Sequence, residues 1–151
     1  MRRLFILIIL FVFSNLIYSQ NVELLKGVYY KNRQLFTGIQ KEYYSTGKLK
    51  EELCIKNGLL DSLSFTYYES GKLKEQKSYK NGLKNGVWIS WNEQEIKLSE
   101  ANYKDNLKDG QWIIWDSNGI KRYDMFYING EKKKKWTIWD ENGQIVSEKE
   151  F

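Results

Sequence analysis

Three tryptophan pairs, Trp88 and Trp91, Trp112 and Trp115, Trp136 and Trp139, hold all six indoles of the chain at one shared spacing. An indole has an apolar face and a polar rim, so a spaced set can stack on sugars, lipid headgroups or partner side chains. Little else in the sequence has comparable chemical reach. There is no histidine, which removes the usual metal ligand and general base and every Ser-His-Asp or Cys-His arrangement. Carboxylates such as Glu51 and Glu52, or Asp140 and Glu141, are scattered among lysines without a spacing that marks an acid and base pair. Cys54 is the one cysteine and has no internal disulfide partner. No phosphate loop or metal-ligand spacing occurs. These residues predict a protein that is not an enzyme, with no catalytic residues, no metal site and no cofactor.

The chain of 151 residues suits one domain, and a hydrophobic share of 42% with abundant aromatics and no proline favours strands. Its first residues read as an address. Arg2 and Arg3 precede the apolar run from Leu4 to Phe13, and Ser19 stands as a small residue before Gln20. That order predicts a secretory signal peptide over residues 1–19, and an exported protein that is periplasmic, outer-membrane-associated or secreted. A spanning helix needs about 20 apolar residues, whereas this stretch is interrupted by Ser14 and Asn15. Without the leader the net charge falls from +5 (24 − 19) to +3 (22 − 19). So mild a charge predicts no nucleic-acid partner.

A repeat organises everything after the leader. From Gly38, the positions Ser62, Gly86, Gly110 and Lys134 follow at intervals of 24 residues. A second marker runs through Gly47, Gly71, Glu95, Gly119 and Gly143, and a third through Gly58, Gly82, Asn106 and Gly130. Both are turn positions, where Gly or Asn adopts positive φ at low cost. The segments between them are rich in aromatic and β-branched residues. The pattern predicts an all-β fold, an antiparallel meander of about five stacked 24-residue hairpins forming one elongated sheet over residues 38–151. Residues 20–37 form a half repeat, in which Glu23 to Lys31 is expected to open the sheet as an additional second strand.

Strand parity assigns the faces. Tyr43, Tyr67, Trp91, Trp115 and Trp139 form a column that is aromatic in every unit and is expected to be structural. Ile55, Tyr79, Tyr103, Tyr127 and Phe151 form a second apolar column. The first member of each tryptophan pair projects to the face opposite the second. Its column reads Gln40, Ser64, Trp88, Trp112 and Trp136, so an indole ladder exists only in the last three units. Trp88, Trp112 and Trp136 are therefore the candidate binding face. Truncating Trp91, Trp115 or Trp139 to Ala is expected to cost about 3–5 kcal/mol, and truncating the ladder set clearly less. The lysine run from Glu131 to Trp136 reads as a solvated turn.

The segments "YKNGLKNGVWISW" (79–91), "YKDNLKDGQWIIW" (103–115) and "YINGEKKKKWTIW" (127–139) resemble the MORN-repeat variant of bacterial proteins, some of which belong to a YwqK-type antitoxin family. The resemblance spans residues 28–151 in constant phase. It departs from the repeat pattern at Ser62, Glu95 and Lys134, where glycine is usual and where distorted turns or strand starts are expected. The resemblance implies stacked hairpins and an interaction role, with protein contacts and membrane association both within its range. The expected function is a non-enzymatic exported module that binds a protein partner or an envelope glycan through one aromatic face, with a membrane surface as a further possible partner. The alternative is an antitoxin or immunity protein that neutralises an exported toxin.

Overall fold

The computed structural model describes residues 22–151, so the predicted leader over 1–19 lies outside the described residues. Two kinds of turn build the fold. At Asn57–Gly58, Asn81–Gly82, Asp105–Asn106 and Asn129–Gly130 both residues have positive φ, the two-residue geometry whose twist matches the flanking strands. At the other end of each hairpin a wider turn closes on one left-handed residue, Gly47, Gly71, Glu95, Gly119 or Gly143. In the last three units Asn92, Asp116 and Asp140 cap this turn, each Oδ1 accepting from two backbone N–H groups at 2.8–3.0 Å.

Between the turns run β4 (Gly38–Tyr43), β5 (Leu49–Lys56), β7 (Ser62–Tyr67), β8 (Leu73–Lys80), β10 (Gly86–Trp91), β11 (Lys97–Lys104), β12 (Leu107–Trp115), β13 (Lys121–Ile128), β14 (Glu131–Trp139) and β15 (Ile145–Glu150). They pair antiparallel in sequence order into one open meander. Two short strands, β6 (Leu59–Leu60) and β9 (Leu83–Lys84), pair with β5 and β8. Their counterparts in later repeats are the leading residues of β12 and β14. The predicted all-β sheet of hairpins is the observed one, and the described residues contain no helix.

The N-terminal segment departs from expectation. Residues 23–31 do not open the sheet as one strand. They fold into β1 (Glu23–Leu25) and β2 (Val28–Lys31), which join β3 (Gln34–Leu35) in a separate three-stranded sheet. The cause is local. Lys26 and Gly27 have φ of 50° and 82°, a tight reversal that turns the segment into a hairpin. The small sheet is fastened to the main one at Gly58, whose N–H donates to Phe36 O at 2.7 Å and whose carbonyl accepts from Tyr29 N at 2.8 Å. A Cβ at Gly58 would lie 2.7 Å from Val28 Cγ1.

The sheet is a single layer. Among the described residues no large side chain is fully buried, and the buried apolar set is Ile55, Ala101 and Tyr127. A sheet ordinarily buries one face against a second layer. Here side chains along a face cover one another, and the repeats fasten across the seams between hairpins. The first two seams have few strand pairs: β5 meets β7 at two residue pairs and β8 meets β10 at two, against five each for β11 with β12 and β13 with β14. Side chains supply the rest. Tyr44 Oη donates to Tyr67 O at 2.7 Å and Tyr68 Oη to Trp91 O at 2.8 Å. Within the hairpins themselves, Thr37, Asp61 and Asp109 accept from the N–H of Asn57, Asn81 and Asn129.

Candidate binding face

Register decides which side chains share a face. Within each hairpin the pairing slips by one residue just before Tyr43, Tyr67, Trp91, Trp115 and Trp139. The extra residue of each bulge belongs to the second strand, Leu98 in the third unit, since Ser90 pairs with Ser99 but Trp91 with Lys97. The first strand is uninterrupted. Trp88 and Trp91 therefore project to opposite faces, as parity predicts, and the later pairs follow.

On one face the indoles interleave with the second apolar column. Tyr79, Trp88, Tyr103, Trp112, Tyr127, Trp136 and Phe151 form an unbroken stack with successive ring centroids 4.9–5.5 Å apart, tilted by 53–65°. Such tilted contacts add about 0.5–1.5 kcal/mol each beyond burial. The ladder is thus seven rings, and a tyrosine or Phe151 stands beside every indole. Each indole is also fixed by its N–H, since Nε1 of Trp88, Trp112 and Trp136 donates to the carbonyls of Ser78, Asn102 and Phe126 at 2.9, 2.8 and 3.1 Å.

The Ser78 carbonyl also accepts from Asn85 N at 3.1 Å, so there the indole is a second donor. The residue at the start of each first strand bulges away from the preceding hairpin with positive φ, at 96° for Gly86 and 103° for Gly110. A Cβ on Gly86 would lie 2.9 Å from Ser78 Oγ. Ser62, Lys134 and, at the wide turn, Glu95 hold the same left-handed conformation with φ of 72°, 58° and 64°. The absent glycines therefore leave the sign of φ unchanged.

A row of lysines overlies the ladder. Lys84 Nζ sits 4.5 Å from the Trp88 centroid and 4.9 Å from Tyr103, Lys108 4.1 Å from Trp112 and 4.7 Å from Tyr127, and Lys132 4.6 Å from Trp136 and 5.1 Å from Phe151. In register each lies opposite a ladder tyrosine, Tyr79, Tyr103 or Tyr127. None of the ion pairs among the described residues involves these three lysines. Sequence reasoning missed them, although they recur at the repeat period as clearly as the indoles do.

The opposite face is arranged differently. Tyr67, Trp91, Trp115 and Trp139 are half-buried there, and Tyr43, at the sheet edge, is 55% exposed. Lys97 and Lys121 lie over Trp115 and Trp139 at 5.6 and 5.4 Å. Both are neutralised, Lys97 by Glu100 at 2.8 Å and Lys121 by Asp124 at 3.1 Å. Paired and unpaired lysines lie over rings on both faces: Lys77, paired with Glu75, is 5.4 Å from the Trp88 centroid on the ladder face, and Lys134, in no ion pair among the described residues, is 3.7 Å from the Phe126 centroid on the other.

Beside the ladder lies a cleft of about 170 Å³ walled by Trp88, Tyr103 and Trp112. Its polar lining is Glu75, Gln76, Lys77, Ser90, Ser99 and Glu100, with the two serine hydroxyls 2.6 Å apart. Burial pushes the Glu75 carboxyl up, but the Lys77 ammonium at 2.7 Å and the Thr66 hydroxyl at 3.1 Å outweigh it and hold the group below the usual carboxylate range. At the start of the stack, burial and then the Glu51 and Glu75 charges push the Tyr79 phenol up to about 12. Among the described residues no cluster of His, Cys, Asp or Glu could hold a metal ion. No helix there is long and apolar enough to cross a membrane.

Three segments match the MORN repeat variant: residues 36–57, 60–81 and 132–151. These are the first two repeats and the last. The intervening residues 82–131 keep the same period, turns and register. MORN repeats commonly serve as protein- or membrane-binding modules and are typically not enzymes. No curated protein matches the chain.

Proposed function

We propose that the protein is an exported, non-enzymatic binding module that holds a protein partner or an envelope polymer on the face bearing Trp88, Trp112 and Trp136. The observation that carries this reading is the continuous seven-ring stack on the ladder face with its periodic row of lysines. The ladder face presents a continuous aromatic stack under lysines that form no ion pair, and charge without an internal partner is available to an external one. Fixed, half-buried rings lose little conformational freedom on binding. The basic and apolar leader, Arg2 and Arg3 before Leu4 to Phe13, supports export.

Oxidative footprinting of the wild-type protein tests the face directly. Incubated with an envelope fraction, Trp88, Trp112 and Trp136 are expected to be oxidised several-fold more slowly than in its absence, while Trp91, Trp115 and Trp139 keep their rates. Protection of the second set alone, or of neither, would overturn the assignment. Export has its own measurement: protein recovered from cells expressing the full chain should begin at Gln20.

A further inference from the structure

The row of lysines and the cleft together specify a ligand chemistry, an inference that rests on the ladder face being the binding surface. We infer that this face holds an acidic polysaccharide in which a carboxylate-bearing sugar alternates with an uncharged one, laid across the strands along Lys84, Lys108 and Lys132.

Spacing is the first argument. Equivalent residues of successive repeats are two strands apart, so the ammonium groups recur about every 10 Å, twice the separation of neighbouring strands. One charge per disaccharide suits that sparse row. A nucleic-acid strand in a duplex carries a phosphate about every 3.4 Å and would leave most of its charges unmatched. The rings make the same distinction. Single-stranded nucleic acid binds by laying bases on open ring faces. Here each interior ring lies between two others at about 5 Å, leaving edges rather than faces for an incoming group.

The cleft is the second argument. It abuts Trp88 and Trp112, the rings that Lys84 and Lys108 overlie, and offers the hydroxyls of Ser90 and Ser99, the Gln76 amide, the Glu75–Lys77 pair and the Glu100 carboxylate beside them. Hydroxyl and carboxylate partners framed by indole edges fit an uncharged sugar ring, which presents hydroxyls around an apolar C–H surface. The flat surface of a bilayer would leave such a cleft unfilled. A second copy of this chain meeting the first ladder to ladder would oppose two rows of unpaired ammonium groups, which disfavours self-association through this face.

The test uses protein purified from cells expressing the full chain and three probes: hyaluronan, which alternates uronate with a neutral sugar, uncharged dextran, and vesicles of phosphatidylglycerol and phosphatidylcholine. Two variants are compared with wild type. One is Lys84→Gln, Lys108→Gln, Lys132→Gln. The other is Lys56→Gln, Lys80→Gln, Lys104→Gln, which removes the same charge at the same period from the opposite face. Circular dichroism of the aromatic stack confirms that both variants fold. Wild type is expected to bind hyaluronan, the first variant at least tenfold more weakly, and the second like wild type. Equal losses in both variants would mean diffuse charge attraction and would overturn the inference. So would binding to vesicles alone, binding to dextran undiminished by the first variant, or no binding to any probe. In each of those cases footprinting protection of Trp88, Trp112 and Trp136 would still stand or fall independently, which separates failure of the ligand class from failure of the binding face.

Discussion

Trp112 reaches across the seam between two hairpins, its indole N–H donating to Asn102 O at 2.8 Å. Asp109 to Gln111 bulge out opposite Asn102, and the indole donates to the Asn102 carbonyl across that gap. The indole thus completes a backbone ladder as well as filling a stack. Trp112→Phe keeps a ring and removes the donor, and is expected to cost about 0.5–1.5 kcal/mol, the net contribution of one hydrogen bond. Trp115→Phe, where no indole hydrogen bond is present, should cost clearly less. Urea denaturation of the two variants measures the difference. Equal losses would show that the N–H adds nothing to ring packing.

The sequence orders the two sets by truncation to alanine; the phenylalanine pair isolates the indole N–H, whose partner lies beyond what strand parity can assign. Strand parity correctly separates Trp88 from Trp91, because it depends only on alternation along a single strand, and the bulges lie in the partner strand. Repeat period and turn residues likewise suffice for the hairpins, from Asn57–Gly58 to Asn129–Gly130. What a face packs against depends on register between strands. Tyr103 comes to lie between Trp88 and Trp112 only through the bulged pairing of β11 with both neighbours. The same register sets Lys84 opposite Tyr79, so the lysine row was visible as a period but not as a cover for rings. The reversal at Lys26–Gly27 was legible in principle as a turn dipeptide, though the repeat pattern favoured a continuous strand there.

Glu95 occupies a position where most repeats have glycine, at φ 64°. A left-handed conformation costs a side-chain-bearing residue about 1–2 kcal/mol, against roughly 0.5–1 kcal/mol of extra unfolded-state entropy for glycine. Its ion pair with Lys72 at 3.4 Å is well exposed, and such pairs contribute little. Glu95→Gly is therefore expected to stabilise the protein by about 0.5 kcal/mol. Gly71→Ala at the equivalent turn, φ 92°, should destabilise it. A rise in melting temperature for the first and a fall for the second checks both signs.

Stability should decline in strong alkali for a reason located at Tyr79. Burial, followed by the Glu51 and Glu75 charges, raises its phenol from 10.0 to about 12 in the folded protein. The folded state then holds its proton more tightly than the unfolded state, so this contribution is complete below pH 10 and is lost between pH 10 and about 12. For a half-buried phenol screened by solvent the loss is on the order of 1 kcal/mol. Tyr79→Phe should flatten that part of the stability profile, and Glu51→Gln should bring the tyrosinate absorbance transition to lower pH. An unchanged alkaline profile in Tyr79→Phe would assign the decline to other groups.

Ser64 stands in the column where later repeats place Trp88, Trp112 and Trp136, and its short side chain leaves a hydroxyl with nothing to donate to. It is 3% exposed, and its Oγ has no hydrogen-bond partner. The carbonyl that an indole would serve in this unit, Cys54 O, already accepts from Asp61 N at 2.9 Å. A buried hydroxyl without a partner is a cost of about 1–3 kcal/mol that alanine removes while losing a single atom of contact. Ser64→Ala is accordingly expected to stabilise the protein by roughly 1 kcal/mol, measured as a higher urea midpoint with an unchanged slope. A loss of similar size would instead mean that the hydroxyl is satisfied by a bound water bridging it to the seam between β5 and β7.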